Sequence, residues 1–139
     1  MPDLKPELSK KSSYWIPRHR YYELKHFCLQ YPDWKGLYSK LHPEVTAHKD
    51  QEIRGTDIYR PNEDRATFRA DLQRAMNLVE RCAKNCTDEE ILRYYIFKAV
   101  TNGFSFVQLQ TKYEIPCSKD MYYECYRKFF WLLSREKGI

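Results

Sequence analysis

Apolar residues recur along this chain at intervals of three and four, the period of a helix, and nowhere alternate long enough to suggest a strand. Tyr21, Leu24, Phe27 and Cys28 make one stripe across Arg18 to Gln30, after the anchor Tyr14-Trp15-Ile16 and a Pro17 suited to a helix's first turn. Tyr31-Pro32-Asp33 interrupts that stripe. A second short helix is expected from Asp33 to Leu41, with Trp34, Leu37, Tyr38 and Leu41 inward. Together these two helices form an aromatic cap over residues 14–42, expected to rest on the C-terminal helices. Asn62 to Cys86 reads as one long helix. Its seam of Phe68, Leu72, Ala75, Val79, Cys82 and Cys86 is heptad-like. The seam is read as facing the cap within the chain; pairing with a second copy, a homodimer, is the alternative.

The last third has the clearest punctuation. Thr87 and Glu90 have the spacing of a capping box, so a helix is expected from there to about Thr101, stopped by Gly103. Its inward face is Ile91, Leu92, Tyr95, Ile96, Ala99 and Val100. Ser105 caps a short helix, Phe106 to Lys112, with Phe106, Val107 and Leu109 inward. Then comes a corner. Pro116 disfavours helical geometry at Ile115, and Ser118 can accept from a free amide of the next helix, Lys119 to about Glu136. Met121, Tyr122, Cys125, Phe129, Leu132 and Leu133 are that helix's expected core. Phe130 and Trp131 fall off the single stripe, which implies contact on two sides. A short helix, a tight turn and a long helix, here over 105–136, follow the grammar of a helix-turn-helix.

The fold class expected is therefore all-α: a multi-helix bundle with a C-terminal helix-turn-helix and an N-terminal aromatic helical cap. Residues 1–13 read as a loose charged arm, 43–61 as a linker without periodicity, and 62–139 as the helical domain. Composition adds little to class but something to chemistry. A length of 139 residues suits one domain, and 16% aromatic content supports a core rich in Tyr and Phe. No run approaches a membrane span of roughly 20 apolar residues. The N-terminus carries no apolar leader, so a cytoplasmic setting is expected, with no membrane partner.

The net charge is +5, but unevenly spread: residues 1–42 hold eight basic against four acidic side chains, and residues 87–139 eight against seven. The basic excess thus lies in the arm, where Lys5, Lys10, Lys11, Arg18 and Arg20 could meet phosphates. Five cysteines are present with no CxxC and no finger-like spacing, so they are read as buried reduced thiols. No cofactor and no metal site are expected. With no phosphate loop, HExxH or nucleophile motif, neither is catalysis.

Several residues carry a resemblance. Gly103-x-Ser105-x-x-x-Leu109, Ile115-Pro116-Cys117-Ser118-Lys119-Asp120, Tyr122-Tyr123 and Arg127-Lys128-Phe129-Phe130-Trp131-Leu132-Leu133 resemble small phage and prophage proteins of Gram-positive bacteria. The segment looks like the sigma-region-4-like helix-turn-helix of late-gene activators of the RinA and ArpU type. Tyr21-Tyr22-Glu23-Leu24-Lys25 and Tyr31-Pro32-x-Trp34 also look like the start of phage proteins sharing this tail. The resemblance implies a transcription regulator that binds double-stranded DNA with its last helix, in the cytoplasm of a bacterial host cell. Lys119 and Arg127 would meet guanine edges or phosphates, and Gln108 and Lys112 would hold the backbone, with Ser118, Tyr123 and Lys128 beside them. The alternative is a protein-binding phage factor, acting on a host RNA polymerase or a defence nuclease, suggested by the near-neutral tail and surplus Tyr and Trp.

Overall fold

The structure is a computed structural model that describes residues 13–41 and 62–138. The arm expected over 1–13, but for Ser13, and the linker expected over 43–61 lie outside the described residues. Within them the chain is an all-α bundle without strands. Its helices are α1 (Arg18–Leu29), α2 (Tyr31–Lys40), α3 (Asn62–Asn85), α4 (Glu90–Asn102), α5 (Phe106–Tyr113) and α6 (Lys119–Lys137). The described residues divide into two compact units: 31–41 with 62–77, and 13–30 with 78–138.

The smaller unit contains α2 and the first part of α3. Here α2 begins at Tyr31, earlier than expected, because a proline in the first helical turn sacrifices only an amide that has no helical partner. Tyr31, Trp34, Leu41, Leu72 and Met76 are buried. The Arg69 guanidinium lies 3.8 Å from the Tyr38 ring centre, a cation–π stack that covers the flat side of the phenol. Phe68 and Ala75 of the expected seam are only half-buried, and Met76 is buried instead.

The larger unit carries the candidate site. In it α1 packs against both α4 and α6, α4 meets α6, and α5 lies on α4. Leu24, Cys28, Val79, Ile96, Leu109, Phe129 and Leu133 fill its centre. Arg20 ties α1 to the end of α6. Its Nε donates to Ser134 Oγ (3.1 Å), and its Nη2 donates to the carbonyls of Ser134 (3.2 Å) and Gly138. A cation placed there meets orphan carbonyls at the negative end of the helix dipole. Arg81 and Glu136 add an ion pair at 2.9 Å. Phe130 is 2% exposed because α1 covers that side of α6: its ring lies 5.2 Å from Tyr21 and 4.9 Å from Phe129. Trp131 is half-buried, between the Tyr14 ring at 5.4 Å and the Arg135 guanidinium at 4.7 Å. This is the two-sided contact that the single stripe on α6 could not account for.

The caps correct one expectation. Thr87 does not box α4. The N-cap is Glu89, without a side-chain cap bond, and the Thr87 hydroxyl accepts from the Glu89 amide at 3.2 Å, forming a turn ahead of the helix. The reciprocal box belongs to α5: Ser105 Oγ accepts from the Gln108 amide (3.2 Å) and Gln108 Oε1 accepts from the Ser105 amide (2.8 Å). At the end of α4, Gly103 takes the left-handed conformation, φ 77° and ψ 24°, and its amide donates to Ala99 O at 2.8 Å. Replacing Ser105 or Ser118 by alanine is expected to cost about 1 kcal/mol each, read as a shift in the urea midpoint. An unchanged midpoint for Ser105→Ala would mean that the box contributes nothing.

Candidate functional site

The corner between α5 and α6 is built by local chemistry. α5 ends at Glu114, which takes the left-handed conformation (φ 53°, ψ 52°), costly for a non-glycine residue. Its amide donates to Gln110 O at 3.2 Å, and the Cys117 amide donates to Ile115 O at 3.0 Å. Ile115 is 6% exposed, so the turn is pinned from inside. Ser118 then caps α6: its hydroxyl accepts from the Met121 amide at 3.1 Å. The corner is broken where Pro116 and Ser118 place it.

The expected DNA-contacting residues do not form one uniform face. Gln108, Lys112, Ser118 and Lys119 are exposed. Of these, Gln108 has its carbonyl oxygen committed to the cap, which leaves its amide hydrogens to donate. The Lys112 amine lies 5.8 Å from the rings of Phe104 and Tyr113. Arg127 is held back: its side chain is 23% exposed, its Nη2 donates to Glu124 at 3.5 Å, and its buried Nε has no hydrogen-bond partner. Lys128 is half-buried with its amine 5.9 Å from the Tyr14 ring. Tyr123 turns toward other aromatics, 5.1 Å from Tyr122 and 6.1 Å from Phe106, and burial pushes its phenol above the usual range. Asp120 and Glu124 sit one helical turn apart on the exposed side of α6, among the cations. Val107 and Met121, expected inward, are 64% and 51% exposed on this corner, and Ile91 of α4 is exposed as well. On helices this short and this tightly turned, the buried arc is narrower than the apolar pattern.

Behind Tyr123 lies a feature that the helical stripes did not disclose. A cleft of about 220 Å³ opens where four helices converge. Tyr21, Tyr22 and Lys25 of α1 form one wall; Gly103, Phe104 and Phe106 form another; Tyr122, Tyr126 and Phe130 of α6 complete it with Tyr123. The Tyr21 and Tyr126 hydroxyls share a hydrogen bond at 2.7 Å, and the Tyr122 and Tyr126 rings stack at 5.8 Å. Burial pushes both the Tyr122 and the Tyr126 phenols up, with neighbouring phenols adding to it. The sequence held a signal for it: Tyr122, Tyr126 and Phe130 recur every four residues on α6, and Tyr21, Tyr22 and Lys25 cluster on α1.

The thiols are a third set. Cys28, Cys82, Cys86 and Cys125 are buried, and Cys86 Sγ donates to Ala83 O at 3.3 Å. Burial pushes Cys82 up to about 11 and Cys86 up to about 12, and raises Cys28 further, with the neighbouring Cys82 adding to it. Groups so hard to ionise make poor nucleophiles and poor metal ligands. Among the described residues no three His, Cys, Asp or Glu side chains are grouped to hold a metal ion, and no helix is long and apolar enough to cross a membrane. Comparison with family models, curated proteins and solved structures finds no match to this chain.

Proposed function

We propose that this chain is a phage-type transcription regulator that reads double-stranded DNA with α6, in the manner of the RinA/ArpU-type regulators its tail resembles. One observation carries the reading: a box-capped eight-residue α5, a turn pinned by buried Ile115, and a Ser118-capped α6 whose first turn is open to solvent. In this reading the first turns of α6 enter the major groove. Lys119 meets base edges or phosphate, and Lys112 and the Gln108 amide hold the backbone from α5. Ser118, its oxygen already accepting from the cap, offers its hydroxyl proton to phosphate. Arg127 joins once a phosphate or guanine competes it away from Glu124; Tyr123 and Lys128 support it from either side. Lys5, Lys10, Lys11 and Arg18 add affinity by releasing counterions, whereas Arg20 is held at the end of α6.

The test is a fluorescence-anisotropy titration of labelled duplex DNA across a salt series. Binding is expected to weaken linearly in log salt, and Lys119→Ala is expected to reduce that slope by about 1. No binding at about 50 mM salt would end the DNA reading. A second reading is a protein-binding factor acting on a host polymerase or defence nuclease. Val107 and Met121, exposed on the same corner as Asp120 and Glu124, favour it, since apolar anchors beside acids suit a protein surface better than a phosphate backbone. It predicts salt-insensitive capture of one of those host proteins, abolished by Val107→Asp.

A further inference from the structure

We propose that the cleft among α1, α4, α5 and α6 is a binding site for a small aromatic carboxylate, one ring in size. The site does not depend on the DNA reading, since of the residues that reading uses only Tyr123 lines the cleft. Three observations point to this ligand class.

Size comes first. A dry apolar cavity of about 150 Å³ holds one benzene ring. The cleft, at about 220 Å³, takes one ring with a short substituent, but not a nucleotide. Its walls are aromatic, so a planar ring can pack edge or face at the usual centroid separations of about 4.5–7 Å.

Charge comes second. Lys25 is the only charged side chain among the described residues that line the cleft. Its amine lies 6.0 Å from the Tyr21 ring and 5.8 Å from the Tyr22 ring, and no carboxylate among the described residues pairs with it. A half-buried lysine with no counter-ion among the described residues, beside an aromatic slot, suits an anion attached to a ring.

The third observation is a hydroxyl. Tyr122 lines the cleft, its side chain is 1% exposed, and its phenol makes no hydrogen bond among the described residues. The phenol oxygen is not closed off from solvent, so it can donate to a ligand atom in the cleft. A carboxylate accepts from both a phenol and an ammonium.

The experiment titrates the full-length chain with benzoate, acetate and benzyl alcohol, followed by amide shifts in two-dimensional NMR. Benzoate is expected to give saturable shifts in the millimolar range at Lys25, Gly103 and Ser105. Acetate, lacking the ring, gives none there. Benzyl alcohol binds more weakly. Lys25→Met is expected to lower benzoate affinity by about tenfold, the loss of one charge-assisted hydrogen bond, and to leave benzyl alcohol unchanged. Tyr122→Phe lowers benzoate affinity severalfold. The proposal is overturned if benzoate gives no saturable shift in the unmodified chain, if acetate shifts the same amides equally, or if Lys25→Met binds benzoate as the parent does.

Discussion

Phe130→Ala is expected to destabilise the larger unit by about 3–5 kcal/mol, a large part of the stability of a domain this size. The ring sits between Tyr21, Tyr126 and Phe129, with centroid distances of 5.2, 5.1 and 4.9 Å. Its removal leaves a void between α1 and α6, and it takes one residue from the lining of the cleft. The control is its neighbour. Trp131 is half-buried and covered by Tyr14 and Arg135, so Trp131→Ala should cost less than half as much. Urea titration followed by circular dichroism measures both. Equal losses, or a greater loss at Trp131, would show that α1 does not cover α6 as described.

Alkali should destabilise the protein progressively from about pH 9 to about pH 10.5. Cys28, Cys82 and Cys86 are held neutral by burial, and their folded values lie above the ordinary thiol value of 9.0. The stability they contribute is fully present below about pH 9 and is lost as pH climbs through the folded values, because the unfolded chain releases these protons first. For Cys82 the window closes at about 11 and for Cys86 at about 12. At about pH 10.5 each of the three thiols should have cost about 2 kcal/mol, so the set costs about 6 kcal/mol. The buried phenols of Tyr122 and Tyr126, raised by burial, add to the fall above about pH 10. Urea midpoints measured under reductant from about pH 8 to about pH 10.5 follow the decline. Cys86→Ala should flatten the curve by one thiol's share. Constant stability across that range would mean that these thiols are not buried.

Much of the backbone was legible from residue order. Gly103 ends α4 because only a residue without a Cβ takes a left-handed φ cheaply, and Ser105 and Ser118 start helices because their hydroxyls reach a free amide within one turn. These are interactions over three or four residues, and spacing alone discloses them. Thr87 shows where that logic stops. It has the spacing of a box, yet α4 starts two residues beyond Asp88, since Arg93 Nε donates to Thr87 O at 2.7 Å and holds the segment outside the helix. Val107 and Met121 show the same limit for burial: periodicity proposes an inward face, and neighbours decide how wide it is. Of the candidate surface residues, the sequence could say that Lys112, Lys119 and Arg127 belong to one corner. It could not say that Glu124 engages Arg127, or that Tyr123 faces a cleft.

The order of residues by itself determined an all-α chain, the caps of α5 and α6, the glycine stop of α4 and the corner at Pro116, because each depends on dihedral preference and hydrogen bonds between near neighbours. Only the tertiary structure decided that Phe130 is core, that Arg20 satisfies the end of α6, and that tyrosines more than a hundred residues apart share one hydrogen bond across an aromatic cleft. Those facts depend on which helix lies against which. Many packings bury the same apolar stripes nearly equally well, and the choice among them rests on shape and on partners distant in sequence.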